Sequence, residues 1–300
     1  MGGRHTRILV IGSQGQLGSE LCRQLGDRAV GLDFPDLDIT DRRSVAAAMA
    51  ASRPGAVINT AAYTRVDQAE TEPEACFAVN ATGVAHLAEA CCAADAALVQ
   101  VSSDYVFGGD RPVRAPYRES DEPHPEGVYA SSKREGELCA AACPKHIIIR
   151  TCGLYGHRAP RAAGTFVDTM LRLAETRNVL RVVDDQHCTP TSVVHVARAI
   201  AFLLESGAGG VYHVVCRGQT TWLGFAREIF RQADLDVRVD PISTAEYGLA
   251  APRPAYSVLD TGRYHALAGC PVMPPWEEAL AEYLDSIGRR AGSGGGNPGW

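Results

Sequence analysis

The chain has 300 residues, of which 46% are hydrophobic and 21% are charged, and its formal net charge is -6. This composition is typical of a globular protein with one large domain or two joined ones. The negative charge and the lack of a clustered basic stripe argue against nucleic-acid binding, so small molecules are the expected partners.

The first predicted element is a short β-branched strand, residues 7–11, which ends in a glycine-rich turn. Gly12, Gly15 and Gly18 follow it in the order Gly-x-x-Gly-x-x-Gly, and an apolar-periodic helix continues through Leu25. Glycines let backbone N–H groups approach a pyrophosphate at a helix N-terminus, where the helix dipole favours negative charge. The order strand, glycine turn, helix therefore predicts dinucleotide binding. The alternative is a tight strand-to-helix turn without a ligand.

The second predicted strand, residues 29–32, ends at Asp33, where an acidic side chain reaches the adenosine ribose. An acid at this position favours NAD over NADP, because it repels a 2′-phosphate. Arg42 and Arg43 leave the alternative open, since a guanidinium from the next loop can neutralise that phosphate. Asp38 and Asp41 precede a predicted helix, for which helix capping is the simplest alternative role.

Small and polar side chains follow the next two predicted strands. Residues 56–59 run into a stretch of small residues that suits a ligand lying across the sheet edge. A long Ala-rich helix, residues 73–93, carries Asn80, which needs partners if it is buried. The fourth strand, residues 97–101, leads into Ser103 and Asp104. Catalytic groups collect at such strand ends, although hydroxyls there also serve as plain turn residues.

Tyr129 and Lys133 are four residues apart, so they share one face of the helix that follows a Pro-, Gly- and Glu-rich loop. A positive neighbour lowers the pKa of a phenol from about 10 toward neutrality, which suits proton transfer. The chain contains 29 Lys plus Arg, yet Lys133 and Lys145 are its only lysines. A compact point charge is therefore indicated at position 133. The alternative is an exposed helical pair without a catalytic role.

Five strand–helix steps accumulate by a fifth predicted strand, residues 146–150. Alternation at this spacing predicts an α/β, Rossmann-type doubly wound parallel sheet, and the later helices and Pro-rich loops indicate a smaller C-terminal substrate-binding lobe. The predicted domains are a dinucleotide-binding domain, a substrate lobe and a disordered Gly/Ser-rich tail. Their predicted bounds are residues 1–150 with about 179–217 interleaved, about 151–178 with 218–288, and 289–300.

Neither the cysteines nor the N-terminus indicates export or a metal site. The 10 cysteines include no Cys-x-x-Cys pair, and we interpret them as small buried thiols. His187 with Cys188, and His213 with Cys216, do not form a metal-binding set. Residues 1–6 are polar and too short for a signal peptide, and no apolar run is expected to reach membrane-spanning length. The sequence therefore predicts a cytoplasmic protein without a membrane segment or a metal.

The glycine loop together with Ser103, Tyr129 and Lys133 resembles the extended short-chain dehydrogenase/reductase superfamily. Further stretches across roughly residues 7–287 are similar to the dTDP-4-dehydrorhamnose reductase family, which makes chance an unsatisfactory explanation. These stretches are residues 15–18, 59–64, 66–70, 103–107, 169–173, 183–186, 220–222 and 253–254.

The resemblance implies reduction of the 4-keto group of a nucleotide-linked 6-deoxysugar, above all dTDP-4-dehydro-L-rhamnose to dTDP-L-rhamnose. NADPH is the normal cofactor of the family and NADH is often accepted. By position, Ser103 would hydrogen-bond the ketone oxygen, Tyr129 would protonate the alkoxide, and Lys133 would hold the nicotinamide ribose and lower the Tyr129 pKa. Asp104 and Gly153 would contact substrate. The implied cofactor-binding residues are Gly12, Gly15, Gln16, Leu17, Gly18, Asp33, Asp38, Ile39, Ala62, Tyr63, Thr64, Tyr129 and Lys133.

Two departures from the family pattern bear on the substrate. Ser103 stands where the family usually has Thr, which preserves the hydroxyl. Gly153 stands where the family typically has a Trp that packs on the sugar, so the pocket is expected to be wider. An antibiotic-type deoxysugar, or a ring-contracted one such as dihydrostreptose, is therefore an open alternative.

Other functions and assemblies are also open. A sugar-nucleotide 4,6-dehydratase is disfavoured, because Tyr105 stands where that enzyme has an acidic Glu. A non-catalytic NADP-binding regulatory subunit of the same family is the alternative from a different class. Some family members form homodimers, some of them around Mg2+, and this sequence indicates no position for such a metal.

Overall fold

Strands and helices alternate through most of the chain. The structure is a computed structural model that describes residues 7–109, 115–157, 159–160 and 164–291. The strands are β1 (Ile8–Ile11), β2 (Ala29–Leu32), β3 (Ala56–Asn59), β4 (Ala97–Ser103), β5 (His146–Thr151), β6 (Leu154–Tyr155), β7 (Val179–Val183), β8 (His187–Cys188), β9 (Thr191–Ser192), β10 (Gly210–His213), β11 (Thr220–Thr221) and β12 (Arg238–Ile242).

Twelve α-helices lie in the described residues, and a π-helical turn divides the helix predicted for residues 73–93 into two. They are α1 (Gln16–Leu25), α2 (Arg42–Ser52), α3 (Val66–Ala69), α4 (Pro73–Phe77), α5 (Gly83–Ala93), α6 (Gly127–Ala141), α7 (Phe166–Ala174), α8 (Val193–Glu205), α9 (Trp222–Gln232), α10 (Thr244–Tyr247), α11 (Gly262–His265) and α12 (Trp276–Ser286). A π-helical turn, Ala78–Thr82, joins α4 to α5.

A six-stranded parallel sheet in the order β10-β5-β4-β3-β1-β2 forms the centre of the fold. Successive residues of β1 point to opposite faces of the sheet. Ile8 and Val10 pack with α1 and α8, whereas Leu9 and Ile11 pack with α2 and α5. This confirms the predicted doubly wound α/β class, in which both faces of a parallel sheet are covered by helices.

The strand order reverses at β1, which pairs with β2 on one side and with β3 on the other. The chain leaves β1 in one direction to form β2 and returns to the other side for β3, so the loops after β1 and β3 diverge. In such sheets a crevice opens outside the carboxyl ends of the strands at this point. The glycine turn, Asp33 and the residues after β3 all lie at this edge.

The second part of the fold is built on a parallel pair formed by β7 and β12. Val167, Leu180, Phe225 and Leu280 belong to its separate buried cluster, which α7, α9 and α12 help to form. The sequence predicts that residues 179–217 belong to the dinucleotide-binding domain. Contrary to this prediction, β7 pairs with β12 outside the central sheet, whereas β10 is a strand of the central sheet. The other predicted domain bounds stay predictions.

The predicted disordered tail, residues 289–300, is partly ordered. The backbone N–H of Arg289 donates to Leu284 O at 2.8 Å, and that of Ala291 donates to Gln232 O at 2.9 Å. The prediction is therefore wrong for residues 289–291, because composition does not reveal these backbone partners. Residues 292–300, like residues 1–6, lie outside the described residues.

The helical segment Pro73–Ala93 has 21 residues and a mean hydropathy of 1.2, so by length and composition alone it qualifies as a membrane span. The sequence was not expected to contain such a segment. In the structure, 44% of the apolar 18-residue stretch in this segment is buried inside the protein. Val84, Leu87 and Cys91 pack in the cluster between the helices and the sheet. Its apolar face is thus used within the fold.

The π-helical turn places Asn80 between the segment that follows β3 and helix α6. The Asn80 side chain is buried; its Oδ1 accepts the Tyr63 N–H at 2.9 Å, and its Nδ2 donates to Tyr63 O at 3.1 Å and to Ser132 Oγ at 3.0 Å. A Cβ added to Gly136 would lie 2.1 Å from Asn80 O. Gly136 therefore allows α6 to lie directly against this turn. π-Helical turns of this kind often occur at functional sites.

A buried ion pair attaches α6 to the sheet. Glu137 is 1% exposed and Arg150, in β5, is 2% exposed. The guanidinium donates Nε to Oε1 and Nη2 to Oε2, both at 2.8 Å, and Ser102 Oγ in β4 donates to Oε1 at 2.7 Å. Burial raises the Glu137 pKa, but the hydrogen bonds and charge of Arg150 outweigh burial and hold that pKa below its usual value. This bidentate contact fixes α6 on β4 and β5.

We predict that Glu137→Gln lowers the free energy of unfolding by about 3 kcal/mol or more, because it leaves Arg150 as an uncompensated buried charge. The matched control is Glu135→Gln on the exposed side of the same helix, with an expected change within about 0.5 kcal/mol. Urea unfolding of both variants measures the difference. Equal stability of the two variants would contradict the anchoring role of the ion pair.

Candidate active site

A cleft of about 1030 Å³ opens at the carboxyl edge of the central sheet. Residues after β1, β2, β3, β4 and β5 line one side. The lobe contributes Trp222, and the C-terminal segment contributes Pro254 and Ser257. The cleft therefore brings residues from distant parts of the chain to the sheet edge, where α/β proteins bind ligands.

The glycine turn after β1 can exist only with small residues. Gly12 has φ +77°, and a Cβ there would lie 2.7 Å from Ala61 N. A Cβ at Gly18 would lie 2.1 Å from Gly12 O. Gly15 is the N-cap of α1 and provides no side-chain cap. Gln16, Leu17 and the three glycines all line the cleft. The turn thus forms an open cradle at a helix N-terminus, which fits a pyrophosphate.

Asp33 lines the cleft at the end of β2, and it also braces the glycine turn. Its Oδ2 accepts the Gln14 N–H and its Oδ1 accepts the Phe34 N–H, each at 2.9 Å. Each carboxylate oxygen accepts one backbone amide and keeps a further acceptor site, so the preference for NAD over NADP stays a prediction. Its contact with a ribose stays a prediction.

Asp38 and Ile39 line the same end of the cleft. Asp38 Oδ1 accepts both the N–H and the hydroxyl of Thr40, at 2.9 and 2.7 Å. The capping alternative applies to Asp41, whose carboxylate accepts the Arg43 N–H at the start of α2. The Asp38 carboxylate thus shapes the loop, and its predicted contact with the cofactor stays a prediction.

Of the three residues predicted to line the cofactor after β3, Ala62 and Thr64 line the cleft. The Tyr63 side chain does not: it is buried elsewhere, and its hydroxyl donates to Glu72 Oε2 at 2.7 Å. Successive side chains of an extended segment point to opposite sides, so Tyr63 lies behind its two neighbours. The Tyr63 side chain therefore lies outside the cleft while Asn80 holds its backbone, and its predicted cofactor contact stays a prediction.

Ser103 and Asp104 lie together at the end of β4. Both are buried, and Ser103 Oγ donates to Asp104 Oδ1 at 3.0 Å. Asp104 Oδ2 accepts the Ser257 hydroxyl at 2.6 Å. Burial raises the Asp104 pKa, although hydrogen bonds from Ser257, Cys152 and Ser103 act in the opposite direction. Asp104 lines the cleft, but both its carboxylate oxygens are occupied by protein groups. The predicted contact of Asp104 with the substrate stays a prediction.

Tyr129 and Lys133 line the cleft opposite Ser103, on α6. Burial, followed by the negative charge of Asp104, raises the Tyr129 pKa; a hydrogen bond with Ser103 acts in the opposite direction. Burial lowers the Lys133 pKa to about 8, against the raising effect of Glu137. Lys133 Nζ donates to Val101 O at 2.7 Å. The net direction is thus opposite to the expected lowering of the Tyr129 pKa, because desolvation of the phenolate dominates, and the effect of Lys133 itself stays a prediction.

A phenol with a raised pKa is protonated at neutral pH. Tyr129 is therefore in the state that a proton donor needs. The Lys133 ammonium, with a pKa of about 8, is still largely charged at pH 7 and can attract a hydroxyl or an anion. Together the two side chains can donate a proton to a developing alkoxide next to the Ser103 hydroxyl.

Gly153 lines the cleft after β5. It has φ +52°, and a Cβ there would lie 3.2 Å from Pro190 Cα. Both features disfavour any side chain at this position. The local backbone thus suits glycine, and no ring from position 153 covers this part of the cleft.

Several supporting residues carry no obvious sequence signal. Asp67 accepts the Ala251 N–H at 3.1 Å and the Arg253 guanidinium at 2.8 Å, which holds the segment that bears Pro254. Glu70 Oε1 accepts the Val128 N–H at 2.8 Å in the first turn of α6. These contacts give physical roles to two of the family-like stretches, residues 66–70 and 253–254.

Two polar residues that line the cleft, Thr151 and Ser257, were not among the site residues predicted from the sequence. Thr151 pairs with Ser103 in the sheet, and its hydroxyl is buried without a hydrogen-bond partner among the described residues. Its position at a strand end is the signal that could have indicated it. Ser257 has no such signal. Among the described residues, no group of three or more His, Cys, Asp or Glu side chains could hold a metal.

The doubly wound sheet, the glycine cradle and the Ser103, Tyr129 and Lys133 set define a short-chain dehydrogenase/reductase. The family model "RmlD substrate binding domain" matches residues 6–289. The chain therefore belongs to the dTDP-4-dehydrorhamnose reductase family of nicotinamide-dependent oxidoreductases.

Individual relatives agree with this assignment. The dTDP-4-dehydrorhamnose reductase of Streptomyces griseus is 40% identical over 297 residues, covering 95% of each chain. The dTDP-4-keto-6-deoxy-D-glucose reductase of Streptomyces niveus is 37% identical over 282 residues, covering 92% of this chain and 96% of the relative. The crystal structure of dTDP-4-dehydrorhamnose reductase from Bacillus anthracis, in complex with NADP, has a TM-score of 0.88 and 38% identity and covers 94% of this chain and 99% of that one.

We predict that kcat/KM falls as the pH rises through about 8, because Lys133 then loses its proton in the free enzyme. The sign follows from the lowered pKa, since the ammonium is charged only below that value. Lys133→Arg, which stays charged at every accessible pH, is expected to lack this alkaline limb in whatever activity it retains. A wild-type profile that stays flat to about pH 10, the range of an unperturbed lysine, would contradict the assignment.

Proposed function

We propose that the protein reduces the 4-keto group of a dTDP-linked 6-deoxysugar with NADPH, and most closely that it converts dTDP-4-dehydro-L-rhamnose to dTDP-L-rhamnose. The observation that carries this proposal is the convergence of Ser103, Tyr129 and Lys133 on a cleft whose other end is the glycine cradle. The names of the relatives and the NADP bound in the Bacillus anthracis structure support it. NADH is proposed as a second, accepted cofactor.

The cleft fits a dinucleotide, since the glycine turn leaves an open cradle at a helix N-terminus and the volume of about 1030 Å³ accommodates cofactor and sugar together. When bound, the reduced nicotinamide supplies the hydride. The residues of this chain would do the rest: the glycine turn and Gln16 would hold the pyrophosphate end, and Lys133 would hold the nicotinamide ribose.

The ketone oxygen is bound by Ser103 and Tyr129. As negative charge develops on that oxygen, Ser103 stabilises it with a hydrogen bond and Tyr129 transfers its phenolic proton to it. The raised pKa of Tyr129, caused by burial and by Asp104, keeps that proton in place until the oxygen becomes basic enough to take it. Lys133 then stabilises the phenolate that remains.

Gly153 bears on the identity of the sugar. Because no side chain extends from this position, we propose that the cleft is wider here than in family members that, as the resemblance implies, have a Trp there. We propose that sugars of different shape, including antibiotic-type dTDP-4-keto sugars such as those of the dihydrostreptose pathway, also fit. The Streptomyces niveus relative is named for a different sugar than rhamnose, which supports this proposal. The homodimer and the cytoplasmic location stay predictions.

We predict that the purified chain oxidises NADPH only when a dTDP-4-keto-6-deoxysugar is present. The measurement is NADPH depletion across a panel of such sugars in direct competition, with the products identified by NMR. Turnover of several sugars at comparable kcat/KM supports the wide cleft, whereas strict preference for dTDP-4-dehydro-L-rhamnose contradicts it and leaves the reductase assignment intact.

The control is Tyr129→Phe, which is expected to keep its NADPH affinity and lose at least about 99% of its turnover, the usual contribution of a positioned proton donor. NADPH binding without turnover of any panel sugar by the wild-type chain would favour the non-catalytic regulatory subunit instead.

A further inference from the structure

The carboxylate of Asp104 is held from two sides in the interior of the site. Asp104 is 2% exposed, and Ser103 donates to Oδ1 at 3.0 Å while Ser257 donates to Oδ2 at 2.6 Å. The Cys152 thiol is a third hydrogen-bonding neighbour. Each oxygen of the Asp104 carboxyl group therefore has a serine hydroxyl as its hydrogen-bond donor.

This arrangement creates a competition for one proton. A serine hydroxyl has a single O–H, and in this structure Ser103 donates it to Asp104 Oδ1 while also being hydrogen-bonded with Tyr129, whose phenol can donate to Ser103 Oγ. To stabilise a ketone oxygen, Ser103 has to turn that proton away from Asp104. The turn leaves Oδ1 without its donor in a site where an unsatisfied buried acceptor is expensive, more so for a charged group.

Ser257 is placed to offset this loss. It makes the shorter of the two serine contacts with the carboxylate, and it is itself 3% exposed. It lies 153 residues from Asp104 in the chain, so the contact depends on the folding of the C-terminal segment onto the sheet edge.

The segment around Ser257 is fixed by its own backbone. The Ser257 N–H donates to His187 O, and the His187 N–H donates to Ala255 O, both at 3.0 Å. On the other side the Tyr117 N–H donates to Val258 O at 2.8 Å. The Ser257 hydroxyl is therefore held in position independently of Asp104, as a preorganised supporting group should be.

We infer that Ser257 is a positioning residue for the reduction: its hydroxyl holds the Asp104 carboxylate so that Ser103 can turn its own proton to the ketone of the substrate. This role rests on the proposed function, in which Ser103 hydrogen-bonds the ketone oxygen. Ser257 acts through Asp104 and Ser103, and the residue that contacts the reacting oxygen remains Ser103.

The test is a double-mutant cycle of Ser257→Ala and Asp104→Asn, assayed with NADPH and dTDP-4-dehydro-L-rhamnose. In the wild-type background, Ser257→Ala is expected to lower kcat about tenfold, the order of magnitude for a lost hydrogen bond to a charged group, without a matching change in NADPH affinity. In the Asp104→Asn background the same substitution is expected to change kcat less than about twofold, because the charge through which Ser257 acts is gone.

Two further variants separate positioning from general stability. Ser257→Thr keeps a hydroxyl donor and is expected to stay within about threefold of the wild-type kcat. Ser192→Ala removes another buried hydroxyl, the N-cap of α8 outside the cleft, and is expected to lower the melting temperature but not kcat.

Three results would overturn the inference: a Ser257→Ala kcat equal to wild type, a tenfold loss that persists in the Asp104→Asn background, or a Ser257→Thr variant as slow as Ser257→Ala. In each of these cases the wild-type enzyme is still active, so the proposed function is not contradicted. A wild-type chain that turns over no panel sugar contradicts the proposed function itself, and thereby removes the step in which Ser257 takes part.

Discussion

The buried ion pair between Glu137 and Arg150 is the contact on which the geometry of the site depends. It joins α6 to β5, and the Ser102 hydroxyl joins the same carboxylate to β4 one residue before Ser103. Lys133 lies one helical turn before Glu137, so the position of the ammonium and of Tyr129 follows from this attachment. The close contact of Gly136 with the π turn at Asn80 fixes the other side of α6. The proposed catalytic groups, which come from a helix and a strand end, are thereby held in one arrangement.

Burial is the second constraint, and it sets the charge states of the site. It raises the pKa of Tyr129 and Asp104 and lowers that of Lys133 to about 8. The phenol consequently keeps its proton, while the ammonium remains largely charged at neutral pH. Burial also strengthens each hydrogen bond that a ketone oxygen would receive here. The same burial explains why Asp104 has serine donors, because a buried carboxyl group without hydrogen-bond partners is costly.

Much of this arrangement could be predicted from the sequence, because local patterns determine it. The glycine spacing after β1, the polar residues at the end of β4 and the Tyr129–Lys133 spacing each occur within a few residues, and strand–helix alternation predicts the parallel sheet. The rest depends on contacts between distant residues. Packing sets the pairing of β7 with β12, the hydrogen bond of Tyr63 with Glu72 and the hydrogen bond of Ser257 with Asp104. Composition likewise predicts disorder for residues 289–291, whose backbone partners lie elsewhere in the fold.

The central claim is that hydride is delivered to the sugar ketone in the cleft beside Ser103 and Tyr129. Its most direct measurement uses NADPH deuterated at C4 of the nicotinamide, with dTDP-4-dehydro-L-rhamnose in ordinary water and NMR of the product. The account predicts deuterium at C4 of the sugar and at no other carbon, because the hydride is transferred directly while Tyr129 supplies only the hydroxyl proton. A product with hydrogen from water at C4, or with deuterium at another carbon, would contradict it.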